Sequence, residues 1–167
     1  TFSNPVQFFK HRPDNFPTIR LSQLANLYCL HQNLFSKVIG LKSVSEVYRL
    51  LNASVSSYWK NHYQFDKESP KKVKIVSKSF LDLIIINTII PIQFAYSNTI
   101  GEFVTEDLID FMNEVTSEKN AIIDKFNSFG IRSHSAFESQ ALLELKNEYC
   151  NKNKCLNCAV GLQLLKN

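Results

Sequence analysis

Glycine and proline are scarce in this chain, at four and five of 167 residues. Antiparallel sandwiches and Rossmann-type sheets need more turn glycine than that, so the shortage points toward helices. Methionine and tryptophan occur once each, as Met112 and Trp59. With Thr at position 1 and its only methionine at 112, the chain is expected to be a fragment or a processed product of something longer. No apolar stretch precedes a small-residue cleavage site near the start, so no signal peptide is read. A Ser/His/Asp constellation, a phosphate-cradling glycine loop and an HExxH pair are also missing, so no catalytic residue is assigned.

What is present is a folded composition. The chain is 44% hydrophobic and 20% charged, which suits one ordinary domain with a core of its own. The net charge of +4, from 19 basic and 15 acidic residues, permits a nucleic-acid footprint without proving one. Four cysteines in a chain that can build a core without staples point to a reducing cytoplasm, with thiols free or metal-bound.

The periodicity predicts an all-α single domain over 1–167, with about seven to eight helices packed around a buried central helix near 80–96. Residues 1–17 read as an extended lead-in, because Pro5, Pro13 and Pro17 block a continuous helix. A helix is expected from Thr18 to about Gly40, and another from Ser43 to Leu51 with a Ser43/Glu46 capping box. Residues 54–65 are aromatic and expected to be helical at their start. Residues 66–78 form a basic loop, with 73–76 as a short extended piece. Residues 80–96 are the most apolar run, but 17 residues that include Asp82, Asn87 and Gln93 favour a buried helix kinked at Pro91 over a membrane span. Further helices are expected at 105–115 with Thr105 as N-cap, at 117–129 stopping at Gly130, at 135–150 and at 156–165. In the 135–150 helix, Phe137, Ala141, Leu142, Leu145 and Tyr149 make the expected inner stripe.

Three stretches carry chemistry. The first is Cys150-x4-Cys155-x2-Cys158. The C-x2-C spacing lets one turn aim two thiolates at one ion, and Lys152 and Lys154 favour the thiolate form. A Zn²⁺ ion or an iron–sulfur cluster accepts such ligands. Candidates for a fourth ligand are Cys29 and His134, then His62, His31 and His11. The competing reading is three thiols packing as small apolar groups between two helices. The second stretch is Tyr58-Trp59-Lys60-Asn61-His62-Tyr63 and the lysines after it. Residues 67–78 hold five lysines and one glutamate. Trp59 stacking on bases, with Lys71, Lys72 and Lys74 on phosphates, would suit single-stranded DNA or RNA; the competing reading is core aromatics beside a solvated loop. The third is Arg12, Asn15 and Arg20 on the proline-punctuated lead-in. They suit a phosphate or carboxylate, or else a structural turn. Asp82, Asn87 and Gln140 are polar groups in apolar helices, expected to bond neighbouring backbone.

Several segments together resemble one bacterial family, the domain of unknown function numbered 2851, found mainly among Bacteroidetes. They are residues 12–21 (Arg-Pro-Asp-Asn-Phe-Pro-Thr-Ile-Arg-Leu), 58–63 (Tyr-Trp-Lys-Asn-His-Tyr), 86–91 (Ile-Asn-Thr-Ile-Ile-Pro), 139–142 (Ser-Gln-Ala-Leu), and 147–150 (Asn-Glu-Tyr-Cys) with Cys155, Cys158 and Gly161. The resemblance implies that this chain is the C-terminal half of such a protein. It also implies that the other half carries motifs like a PD-(D/E)XK nuclease core, in which case the fourth cluster ligand lies outside the chain. Some nucleases of that type hold an iron–sulfur cluster with one distant cysteine and a C-terminal trio. The expected function is then an accessory helical domain of a larger cytoplasmic protein that processes nucleic acid. Its partners would be its own N-terminal half and DNA or RNA, with no membrane. The alternative is a metal-free scaffold or protein-interaction domain.

Overall fold

The computed structural model describes residues 7–8, 11–102 and 104–165. Among the described residues the chain is mostly helical (63%), with eight helices, a two-strand sheet and a long helix over 78–100. It divides into two compact units, one of Thr1–Leu41 and Ser45–Leu81, the other of Lys42–Val44 and Asp82–Asn167. Of the expected 1–17 lead-in, positions 1–6, 9 and 10 lie outside the described residues.

In the first unit, a 3-10 turn at Pro13–Asn15 leads into α1 (Pro17–Leu30), with Pro17 in the first turn where its missing N–H costs nothing. The helix expected to run to Gly40 breaks at His31. Asn33 takes φ 55°, a left-handed conformation that asparagine tolerates, and α2 (Leu34–Ile39) starts after it. α1 buries the narrow stripe Thr18, Ile19, Gln23 and Leu27. Leu21, Leu24 and Tyr28 are exposed. α3 (Val44–Leu50) supplies Val47 to the core, joined there by Leu51, Ala53 and Val55. The start of 54–65 is not helical. Ser54 bridges Ile75 in antiparallel fashion, and only Tyr58–Lys60 turns, as 3-10 helix. β1 (His62–Gln64) and β2 (Lys67–Glu68) then form a hairpin around Phe65 and Asp66. Asp66 takes φ 57°, and its N–H donates to Tyr58 Oη at 3.0 Å.

The long helix is longer than its apolar run suggested. α4 (Lys78–Ile84), a π turn (Ile85–Ile89) and α5 (Ile90–Ile100) continue as one rod of 23 residues. By length and composition alone it is sufficient to cross a membrane. Five of its buried residues step by four, Leu81, Ile85, Ile89, Gln93 and Ser97, with Ile86 and Ile90 flanking that row. In pure α-helix each such step overshoots a full turn by about 40°, so the stripe would wind around the rod. The π turn takes one extra residue and offsets that drift. It stands just before Pro91, whose nitrogen cannot donate to the preceding turn. Asn87 is exposed and its Nδ2 donates to the Leu83 carbonyl at 2.9 Å, a local backbone bond.

In the second unit, α6 (Thr105–Glu114) starts with Val104 as N-cap, so Thr105 is its first helical residue. Glu106 and Asp107 in that turn complement the helix dipole. α7 (Ala121–Ser128) is shorter than 117–129, because Asn120 caps it by accepting from the N–H groups of Ile122 and Ile123. α8 (Ala136–Glu144) is capped by Ser135 Oγ and runs on as a π turn, Leu145–Cys150. Its inner residues are Ala136 and Ser139, while Phe137 is 39% exposed, so the inner stripe lies elsewhere than expected. Gln140 donates to Glu118 at 2.9 Å. Ile85, Ile89, Phe111, Val115, Ile123 and Ala136 make the core of this unit.

A 3-10 turn at Cys155–Asn157 precedes α9 (Ala159–Leu165). A Cβ on Gly161 would collide with the Cys155 carbonyl oxygen, with the Cys155 carbonyl carbon and Cα only 3.0 Å away. These are backbone atoms that cannot swing aside. Gly161→Ala is therefore expected to detach α9 from this turn. Faster amide exchange over 155–165, with the rest of the unit unchanged, checks it. Wild-type protection in that variant would show that the turn yields.

Candidate nucleic-acid interface

The lead-in arginines and the aromatic-lysine stretch, far apart in sequence, meet in one polar network of the first unit. Its centre is Lys74, only 3% exposed. Its ammonium donates to the carbonyls of Trp59 at 2.6 Å and His62 at 2.8 Å, with Lys60 further off at 3.4 Å. It also lies 3.7 Å from the centre of the Tyr63 ring. A buried cation needs such partners. Burial holds its pKa below the ordinary lysine value, opposed by Asp14.

The network extends outward through α1. Gln23 Nε2 donates to the Lys74 carbonyl at 3.2 Å, and Gln23 Oε1 accepts from Arg20 at 2.9 Å. The other Arg20 terminal nitrogen donates to Asn15 Oδ1 at 2.6 Å, and the guanidinium lies 3.9 Å over the Phe80 ring. Arg20 and Asn15 thus bond each other. Arg12 is exposed, and its carbonyl accepts from the Asn15 N–H at 2.8 Å. Asp14 accepts from Lys72 at 2.7 Å and from Tyr63 Oη at 3.0 Å. The Lys72 hydrogen bond holds the Asp14 carboxyl below its usual value, with Tyr63 adding to it and partial burial opposing. His62 Nδ1 faces two acceptors, the Tyr58 carbonyl at 2.9 Å and Asn61 Oδ1 at 3.1 Å. That nitrogen therefore carries the proton, while the ring stacks on Tyr58 at 4.0 Å.

Above this frame is a cleft of about 420 Å³ lined by Ser54, Val55, Val73 and four lysines: Lys60, Lys71, Lys72 and Lys74. The four are not equivalent. Lys74 is sealed beneath, and Lys72 is tied to Asp14. No carboxylate among the described residues pairs with Lys60 or Lys71. Trp59 does not line this cleft; its ring packs edge-on against Tyr58 and Phe65, each at 5.0 Å. Lys60 was not singled out in the sequence because it sits inside an aromatic run. Its neighbourhood to Lys71 comes from a backbone bond, Lys72 N–H to the Lys60 carbonyl at 2.9 Å.

The C-terminal thiols are arranged differently. Cys150 and Cys155 are exposed and Cys158 is buried. Cys29 is exposed on α1 of the first unit. His134 is exposed, and its N–H donates to Glu138 at 2.6 Å. Among the described residues, no group of three or more His, Cys, Asp or Glu side chains is placed to hold a metal. Backbone groups take the turn instead, with Cys158 N–H donating to the Cys155 carbonyl at 3.3 Å and Leu162 N–H to the Cys158 carbonyl at 2.8 Å.

This mostly helical chain with a small hairpin falls in one family. Residues 1–121 match the family described as Protein of unknown function (DUF2851), and the chain belongs to it. The segments at 139–142 and 147–161 lie beyond the matched residues. No curated protein and no solved structure matches the chain.

Two outcomes follow from the network. Lys74→Met would leave carbonyls under the hairpin without their donor. It is expected to lower stability by about 2–4 kcal/mol, read by denaturant unfolding; a loss below about 1 kcal/mol would show that these carbonyls find other donors. For Asp14, whose folded pKa is depressed, the unfolded state binds more protons near pH 4, so stability rises with pH there. The contribution is present above the unfolded value of about 3.9 and is lost as pH falls through the lower folded value. Asp14→Asn should flatten this acid limb of Tm against pH. The effect is small, because the Lys72 and Asp14 side chains are 55% and 54% exposed; an unchanged limb would show that the pair contributes nothing.

Proposed function

We propose that the first unit binds the phosphate backbone of nucleic acid in the lysine cleft. The chain then serves as a helical accessory domain, the C-terminal half of a larger cytoplasmic bacterial protein that processes nucleic acid. The observation that carries this is the convergence of Lys60 and Lys71, neither paired with a carboxylate among the described residues, on one cleft with Lys72. A phosphodiester supplies the charge those ammonium groups lack, and displaced counterions favour the complex. Lys74 and Trp59, read from the sequence as contact residues, support the cleft from beneath and beside it.

A second reading is a metal-free protein-interaction domain. It is favoured by the exposed apolar row Leu21, Leu24 and Tyr28 on α1, at 59%, 47% and 62% exposure.

The lysine cleft is tested by salt-dependent binding. Changing Lys60 and Lys71 together to Ala is expected to weaken DNA or RNA binding roughly tenfold at low salt. The slope of log K against log salt should fall by about 1–2, near one per lost phosphate contact. Wild-type affinity and slope in that variant would remove nucleic acid from consideration and leave the α1 row as the functional surface.

A further inference from the structure

We propose, resting on the nucleic-acid reading of the lysine cleft, that a second cleft in the same unit seats one unstacked base of a single strand. This cleft has a volume of about 230 Å³ and is walled by Pro13, Phe16, Tyr63 and Gln64, with Lys67, Glu68 and Ser69 completing it. It falls below the roughly 300 Å³ where small-molecule pockets usually begin. One ring system fits its scale better than an extended ligand does.

The walls suit a base. Phe16 and Tyr63 meet edge-to-face, with centroids 6.1 Å apart at 77°, and a planar base packs readily on such surfaces. The Gln64 side-chain amide makes no hydrogen bond to another described residue, so it has both a donor and an acceptor to offer a base edge. Lys67 and Glu68 cancel in charge, so this cleft does not attract a phosphate. The lysine cleft beside it does.

The two clefts are joined by Asp14. Tyr63 walls the base cleft and Lys72 walls the lysine cleft, and both donate to the same Asp14 carboxylate. Ser69 of one cleft and Lys71 of the other are two residues apart, at most about 7 Å along the chain. One nucleotide can therefore place its phosphate on Lys71 and its base against Phe16 and Tyr63. In a duplex the base is paired and stacked, and reaching a recessed cleft costs unstacking energy. The arrangement thus selects single strands.

The experiment measures fluorescence anisotropy of the full chain with three labelled probes: a mixed-sequence single strand, an abasic strand of the same length, and a duplex. The intact strand is expected to bind roughly tenfold tighter than the abasic one. Gln64→Ala and Phe16→Leu should each cut that ratio to about twofold, the first at a part-exposed position that spares the core. The Lys60 and Lys71 double variant should weaken all three probes. Equal binding of intact and abasic strands, with lysine dependence kept, would overturn the base cleft and leave the lysine cleft standing. Binding of every probe indifferent to the lysines, or no binding at all, would overturn both.

Discussion

The first unit depends on a buried ammonium. Lys74 is enclosed by protein, and its charge is answered by backbone carbonyls and an aromatic face rather than by a carboxylate in contact. The carbonyls come from the 3-10 turn and from the first strand of the hairpin. One side chain therefore fixes the path of residues 59–63, and Gln23, bonded to the Lys74 carbonyl, registers α1 against it. The aromatic cluster, the Asp14 pair and both clefts are positioned by that arrangement. Replacing a buried charge by an apolar group is tolerable only where its partners are replaced as well. Here the partners are main chain and cannot be.

Seen this way, the basic stretch is a division of labour. Lys72 and Lys74, two residues apart, face different surroundings. Lys74 points into the unit and Lys72 reaches Asp14, while Lys60 and Lys71 keep their charge for solvent or a ligand. Summing the lysines as a single patch would have overstated the charge on offer.

Much of the helical architecture was legible. Scarce glycine, Gly130 and the apolar periodicity marked most helices, because those signals are local. The hairpin was not legible, since Phe65 and Asp66 lack the usual glycine turn signal and its stability comes from Tyr58 and Lys74, which are contacts of longer range. The break at Asn33 had a local signal, an asparagine that accepts positive φ, but the apolar spacing on either side outweighed it. For the site, the spacing of Arg12, Asn15 and Arg20 and the run of lysines were both visible. That they share one network was not, because it depends on hydrogen bonds between residues up to 58 apart in sequence. The cysteine spacing was plain as well. What spacing cannot carry is convergence, and at Cys155 the packing of Gly161 governs the turn.

The π turn at Ile85–Ile89 has a consequence for how this family can change. It lets a stripe with a period of four stay aligned along a rod whose natural period is shorter. Loss of a single residue there would restore regular α-helix and rotate everything after it by about 100°. Gln93 and Ser97 would turn out of the interior, and apolar side chains such as Phe94 would change places with them. The helix would be as regular as before, yet its second half would present a different surface. One-residue length differences at this point should therefore be read as changes of facing rather than as loop variation.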